Sequence, residues 1–186
     1  MSLRAGSSDA SFMEGATDSS SILAVMSSAE SSDVVLVEYR PELRPDFERL
    51  NRLWLEAHSL LEPADLVYLE DPERHILSGG GQVFLAMQGP TVIGTCAAIR
   101  MSPTTFELAK LSVDPSARGK GLGRRLCDAV LQYAFERGAT EIVLTSNSAL
   151  VEAIALYESL GFQHAPLPED NRYETANVFM RLMLPV

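Results

Sequence analysis

The pattern of apolar and polar positions divides the chain near residue 33. Residues 1–33 are rich in serine and other small residues, with scattered acids and no sustained period. Such a segment cannot bury enough apolar area to offset the entropy lost on ordering, so it is expected to be a disordered extension. From Val34 onward the pattern changes. Val34–Arg40 is β-rich and predicts a first strand, with Pro41 and Pro45 at its exit. Phe47, Leu50, Leu53, Trp54 and Ala57 recur at helical spacing and predict a helix from Asp46 to His58. Glu62 to Leu69 predicts a second, shorter helix. Beyond the flexible Ser78-Gly79-Gly80-Gly81, strands are predicted at Gln82–Met87, Thr91–Met101 and Thr104–Val113, separated by turns at Gln88-Gly89-Pro90 and at Pro103. Gly94 is expected to mark a bulge. A helix over Leu122–Arg137 closes at Gly138, and the strand Glu141–Thr145 after it is set parallel by that crossover. Ala149–Leu160 predicts a helix closed by Gly161. Phe162–His164 starts another strand, a proline-containing loop covers Pro166–Arg172, and the last strand is expected at Thr175–Leu184. A meander followed by helical crossovers implies an α/β (α+β) fold, a mixed and mostly antiparallel sheet with helices on both faces.

One stretch carries chemistry at first sight, Arg118-Gly119-Lys120-Gly121-Leu122-Gly123. It lies between the strand ending at Val113 and the helix beginning near Leu122. A glycine-rich turn there exposes several backbone N–H groups, and the helix dipole adds about half a positive charge. Arg118 and Lys120 add side-chain charge, so the expected ligand is a diphosphate. A P-loop would need Gly-Lys followed by Ser or Thr, but Gly119-Lys120 is followed by Gly121. The dinucleotide fingerprint would end on a glycine, but its frames end on Arg124 and Leu126. What remains is Arg-x-x-Gly-x-Gly.

That pattern resembles the central motif of the GNAT superfamily of acyl-CoA-dependent N-acyltransferases. The resemblance extends upstream to Phe106–Pro115, similar to that family's fourth strand and its exit. Downstream it reaches Ala153-Ile154-Ala155-Leu156-Tyr157-Glu158-Ser159-Leu160-Gly161-Phe162, similar to its second signature. Three motifs in family order cover about residues 34–186. The resemblance implies that amides from Arg118 through Gly119, Lys120, Gly121, Leu122 and Gly123 to Arg124 hold the pyrophosphate of acetyl-CoA. It implies that Leu111, Ser112 and Val113 pair with the pantetheine arm, as an open strand edge accepts an extended peptide. It also implies a backbone N–H near Leu111 for the oxyanion. Many members place an Asn where this chain has Leu150; Asn147, three residues earlier, is the candidate substitute.

Two side chains are candidates for proton transfer. Glu107 is a carboxylate among β-prone residues, and it matches the position some relatives use as general base, directly or through water. Strict alternation puts Glu107, Ala109, Leu111 and Val113 on one face, with Phe106 and Leu108 on the other. The family often bulges here, so the faces after Ala109 stay open. Tyr157 is the candidate acid for the departing thiolate. Trp54, His58, Tyr68 and His75 are candidates for contact with the acceptor.

Composition narrows the partners. The net charge is −10, and residues 1–33 hold one Arg against five acids, so the folded part is acidic too. Nucleic acid is not an expected partner. An acidic surface suits a cationic amine but also serves solubility. No apolar run reaches the length of a membrane span, and residues 22–26 are too short for a signal peptide, so no membrane partner is expected and the cytoplasm is the expected location. Cys96 and Cys127 lack metal or redox spacing, and His58, His75 and His164 are scattered, so no metal is expected. The sequence reads as an N-acetyltransferase that acetylates a small-molecule or protein amine by direct attack in a ternary complex, with a homodimer left open. The alternatives are a non-catalytic acyl-CoA-binding module and a transferase of a longer acyl group.

Overall fold

The computed structural model describes residues 33–185. The expectation for the serine-rich extension therefore lies, apart from Asp33, outside the described residues. Seven strands follow in chain order: β1 (Val34–Glu38), β2 (Gln82–Gln88), β3 (Thr91–Arg100), β4 (Thr105–Val113), β5 (Glu141–Ser146), β6 (Gln163–Ala165) and β7 (Val178–Met183). Four α-helices join them: α1 (Arg44–Ala57), α2 (Pro63–Glu70), α3 (Leu122–Glu136) and α4 (Val151–Ser159). One sheet holds all seven strands in the order β1-β2-β3-β4-β5-β7-β6. Its pairs are antiparallel except β4 with β5, the pair bridged by α3.

Local chemistry explains where the helices begin and end. In α1, Pro45 occupies the first turn, where its missing N–H costs nothing. At the start of α2, the Glu62 side chain accepts from the backbone at Asp65 and the Asp65 carboxylate accepts from the Glu62 N–H, a reciprocal capping box. Helix α3 is entered through Gly121 at φ 74° and left before Gly138 at φ 78°, both left-handed positions that glycine adopts without strain.

The two faces of the sheet bury separate cores. Phe47 and Leu50 of α1, Leu69 of α2 and Ile76 pack on Val83, Leu85, Val92, Ala97 and Ile99. On the opposite face Leu122, Leu126, Val130 and Tyr133 of α3, with Tyr157 of α4, pack on Phe84, Cys96, Phe106, Leu108, Ile142 and Met180. The predicted irregularity at Gly94 is present, since the β2–β3 register slips beside it, between Ala86 and Met87. A Cβ on Gly94 would lie 2.9 Å from Leu126, so the glycine also lets α3 approach the sheet.

One expectation needs correction. The last strand begins at Val178 rather than Thr175, because 174–175 is tied to the Glu62 carboxylate instead of the sheet. Glu62 accepts from the N–H groups of Glu174 and Thr175 at 2.7 and 2.8 Å. Along β4 the bulge that left the faces after Ala109 open is present. Lys110 has φ 55°, and the β3–β4 register slips between Thr95 and Ala97. This bulge moves Leu111 and Val113 to the α3 core, while Ala109 stays with the α1–α2 core and Ser112 Oγ donates to Leu50 O of α1 at 2.9 Å. The parallel ladder between β4 and β5 covers only Thr105–Glu107 against Glu141–Val143. Past Glu107 a cavity lies between Ala109–Leu111 on one side and Thr145–Asn147 on the other.

Candidate active site

Two cavities meet at the opening between β4 and β5. The outer groove, about 770 Å³, is lined by the glycine loop, Leu111, Val113 and one face of α4 along its length. The inner chamber, about 110 Å³, is lined by Asp65, Glu107, Lys110, Tyr173 and the end of β5. Trp54, Leu111, Leu150 and Tyr157 line both, so groove and chamber adjoin.

The glycine loop shapes the groove by its backbone. Gly119 at φ 73° and Gly121 at φ 74° have open space where a side chain would begin. The first N–H groups of α3 have no carbonyl one turn earlier to accept them, so they face an anion-sized concavity as free donors. Arg118, Gly119, Gly121, Leu122, Gly123 and Arg124 line the groove. Lys120 is exposed instead, its ammonium 3.5 Å from Ser116 O. Arg124 is anchored to α4 through Ser159 Oγ at 2.5 Å, which holds its guanidinium on the groove wall. Arg125 reaches away to Val34 O at 2.8 Å and fastens β1.

Glu107 lies at the inner end, 3% exposed. Its carboxylate accepts from the Arg172 guanidinium, which also donates to the Tyr68 hydroxyl. Burial pushes the Glu107 carboxyl above its usual range, and Arg172 and Lys110 pull it back only in part. Lys110 stands across the chamber. Its ammonium donates to Asp65 Oδ1 at 2.5 Å and to the Tyr173 hydroxyl at 3.2 Å, and it lies 5.1 and 5.4 Å from the ring centres of Tyr173 and Tyr68. Burial lowers the Lys110 ammonium while the Asp65 carboxylate works to hold its proton. Tyr157 is buried at the junction, and burial raises its phenol well above the ordinary value.

The predicted residues thus fall into groups. Glu107, Tyr157, Leu111 and Asn147 meet around the chamber. Val113 lies in the groove, whereas the Ser112 side chain is spent on Leu50 O. Asn147 sits at the chamber rather than the groove, donating to Thr175 O at 2.6 Å and accepting from Ala149 N at 2.8 Å. Trp54 lines both cavities and stacks on His58, with ring centres 4.6 Å apart. Tyr68 reaches the cluster through Arg172 and Lys110, but His75 is exposed beside Tyr68 and lines neither cavity. Sequence reasoning missed Asp65, Lys110 and Arg172. The one available signal was a second charge, Lys110, three residues from Glu107 in an otherwise apolar strand. Among the described residues no helix is long and apolar enough to cross a membrane.

Comparison with known proteins gives the family. Residues 42–162 match the family model of the acetyltransferase (GNAT) family. The rat N-acetyltransferase family 8 member 2 is 30% identical over 115 residues, covering 59% of this chain and 51% of that protein. The rat N-acetylaspartate synthetase is 36% identical over 109 residues, covering 53% of this chain and 36% of that protein. The chain therefore spans about half or less of the length of these curated relatives. Among solved structures, an acetyltransferase of the GNAT family from Staphylococcus aureus superposes with a TM-score of 0.76 at 23% identity, over 82% of this chain and all of that one. The Salmonella typhimurium protein yncA, solved with its cofactor acetyl-CoA, gives a TM-score of 0.64 at 21% identity over 83% and 96%. With its family model matched over most of the described fold, the chain belongs to the acetyltransferase (GNAT) family.

Proposed function

We propose that the chain transfers an acetyl group from acetyl-CoA to a primary amine by direct attack in a ternary complex. The observation that carries this reading is that groove and chamber adjoin at Leu111 and Tyr157. A diphosphate on the glycine loop puts a long, thin arm within reach of the opening in the sheet. A thioester at that opening faces Glu107 and Tyr157 together.

In this reading the pyrophosphate takes the free amides from Gly119 to Arg124, and the pantetheine arm lies along Leu111–Val113. Glu107 takes a proton from the incoming ammonium, directly or through a water, and Arg172 keeps its carboxylate ionised and in place. The amine attacks the thioester carbon. The backbone N–H of Leu111 receives the developing oxyanion, where a preformed donor in a dry site is worth most. Tyr157, kept protonated by burial, donates to the sulfur as the thiolate leaves.

The rival reading, a non-catalytic acyl-CoA-binding module, shares the groove but has no use for the chamber. The test is release of the CoA thiol from acetyl-CoA against a panel of amines, peptides and polyamines. The parent should release thiol with an acceptor present. A Glu107→Gln, Tyr157→Phe double variant should bind acetyl-CoA and lose turnover. Parent-like turnover by that variant would sink the assignment of base and acid, and silence of the parent with acetyl-CoA bound would favour the binding module. Running acetyl-, propionyl- and succinyl-CoA in parallel separates acetyl transfer from transfer of a longer group.

A further inference from the structure

We infer that Lys110 is a specificity residue: its ammonium, with the Tyr173 hydroxyl, receives a carboxylate on the acceptor, so that the acceptor is a small amino acid rather than a simple amine. This rests on the acyl-transfer reading above.

Lys110 is placed by strain rather than by default. A non-glycine residue at φ 55° is uncommon and strained, and such conformations persist where the surroundings hold them. The result is a lysine side chain only 5% exposed that lines the chamber. An ammonium has three N–H donors. Asp65 takes one and the Tyr173 hydroxyl another, leaving one with no hydrogen-bond acceptor among the described residues, beside the Tyr68 and Tyr173 rings. A buried charged donor with an unused proton, beside an open cavity, is an anion contact in waiting.

Two carboxylates, Glu107 and Asp65, and one ammonium, Lys110, line the chamber, so a simple amine can enter it as a cation, and a carboxylate is what the remaining Lys110 N–H lacks. A zwitterion matches both walls, its ammonium toward Glu107 and its carboxylate toward Lys110. These two are three residues apart on β4, on either side of Ala109. The chamber is the smaller of the two cavities, about 110 Å³ against about 770 Å³ for the groove. Arg172 is not the anchor, because it does not line the chamber and is turned to Glu107 and Tyr68.

The experiment compares acceptors that differ by the carboxylate alone. Alanine is set against ethylamine, leucine against isopentylamine and phenylalanine against phenethylamine, and each amino acid also against its carboxamide. Acetyl-CoA is saturating, and rates are referred to the unprotonated amine. The amino acids should exceed their neutral partners in kcat/KM by at least about 30-fold. Lys110→Met should collapse that ratio to about 3-fold or less, chiefly through KM, while Lys110→Arg keeps most of it. Because Lys110→Met leaves Asp65 unpaired, the double variant Asp65→Asn, Lys110→Met is run beside it, with acetyl-CoA affinity by calorimetry as the check on folding. Equal rates for acids and plain amines in the parent would overturn the inference and leave acyl transfer standing. A ratio unchanged in the folded double variant would overturn the role of Lys110. No turnover with any acceptor would overturn both readings.

Discussion

Glu107 is where the chemistry of single residues is most exposed to test. A carboxylate 3% exposed is a useful base only if it is ionised, and the two nearby cations decide that. Glu107→Gln keeps the shape and removes the proton acceptor, so kcat/KM should fall by about 10²–10⁴ with acetyl-CoA affinity retained. Arg172→Leu removes the larger of the two charges that pull the Glu107 carboxyl down. Its pKa then rises further, so the acidic limb of the kcat/KM profile should move to higher pH, with activity lost first at the acid end. A limb that stays in place or moves to lower pH would show that Arg172 does not tune this carboxylate. Glu107 was legible in the sequence because a carboxylate in an apolar strand needs a reason. Arg172 was not, because it lies 65 residues away on an irregular loop and meets Glu107 only through tertiary folding.

At the scale of elements, the glycine loop and the tether on the C-terminal loop make separable predictions. Gly121 is left-handed with free space around it, so a side chain there strains the backbone and intrudes on the groove. Gly121→Val should lower stability by about 1–2 kcal/mol and raise the acetyl-CoA dissociation constant at least about tenfold. Gly138, at φ 78° and also in open space, lies at the far end of α3 away from the groove. Gly138→Ala should cost a similar stability in a denaturation curve and leave acetyl-CoA affinity unchanged. Glu62 holds the other side of the site. Burial pushes its carboxyl up, but the hydrogen bonds from Thr175 and Glu174 outweigh this and hold it below its usual range. Glu62→Ala should free residues 174–175 and raise the acceptor KM, while calorimetry finds acetyl-CoA affinity as in the parent. The loop was readable because its glycines, its cations and the helix after it are contiguous. The tether was not, because Glu62 and Thr175 are 113 residues apart.

For the whole molecule, stability rests on two cores separated by one sheet, and each can be tested from its own face. Leu126 is fully buried on α3 against Gly94, and Phe47 is fully buried on α1. Either truncation to Ala should cost about 2–5 kcal/mol in chemical denaturation. The two sites lie on opposite faces and share no core, so the double variant should be close to additive. Sequence alone determined the order and type of the elements, because period, turn residues and caps act over a few residues. It also determined the anion-binding loop and the pairing of Glu107 with Tyr157 as candidates, because each sits inside a contiguous motif. Only the tertiary structure decided which faces of β4 point where, since one left-handed residue at Lys110 reverses the alternation of a whole strand end. It alone brought Asp65, Lys110, Arg172 and Tyr173 into one chamber. Ion pairs between distant segments carry no signature in either partner's neighbourhood and exist only once the sheet has closed around them.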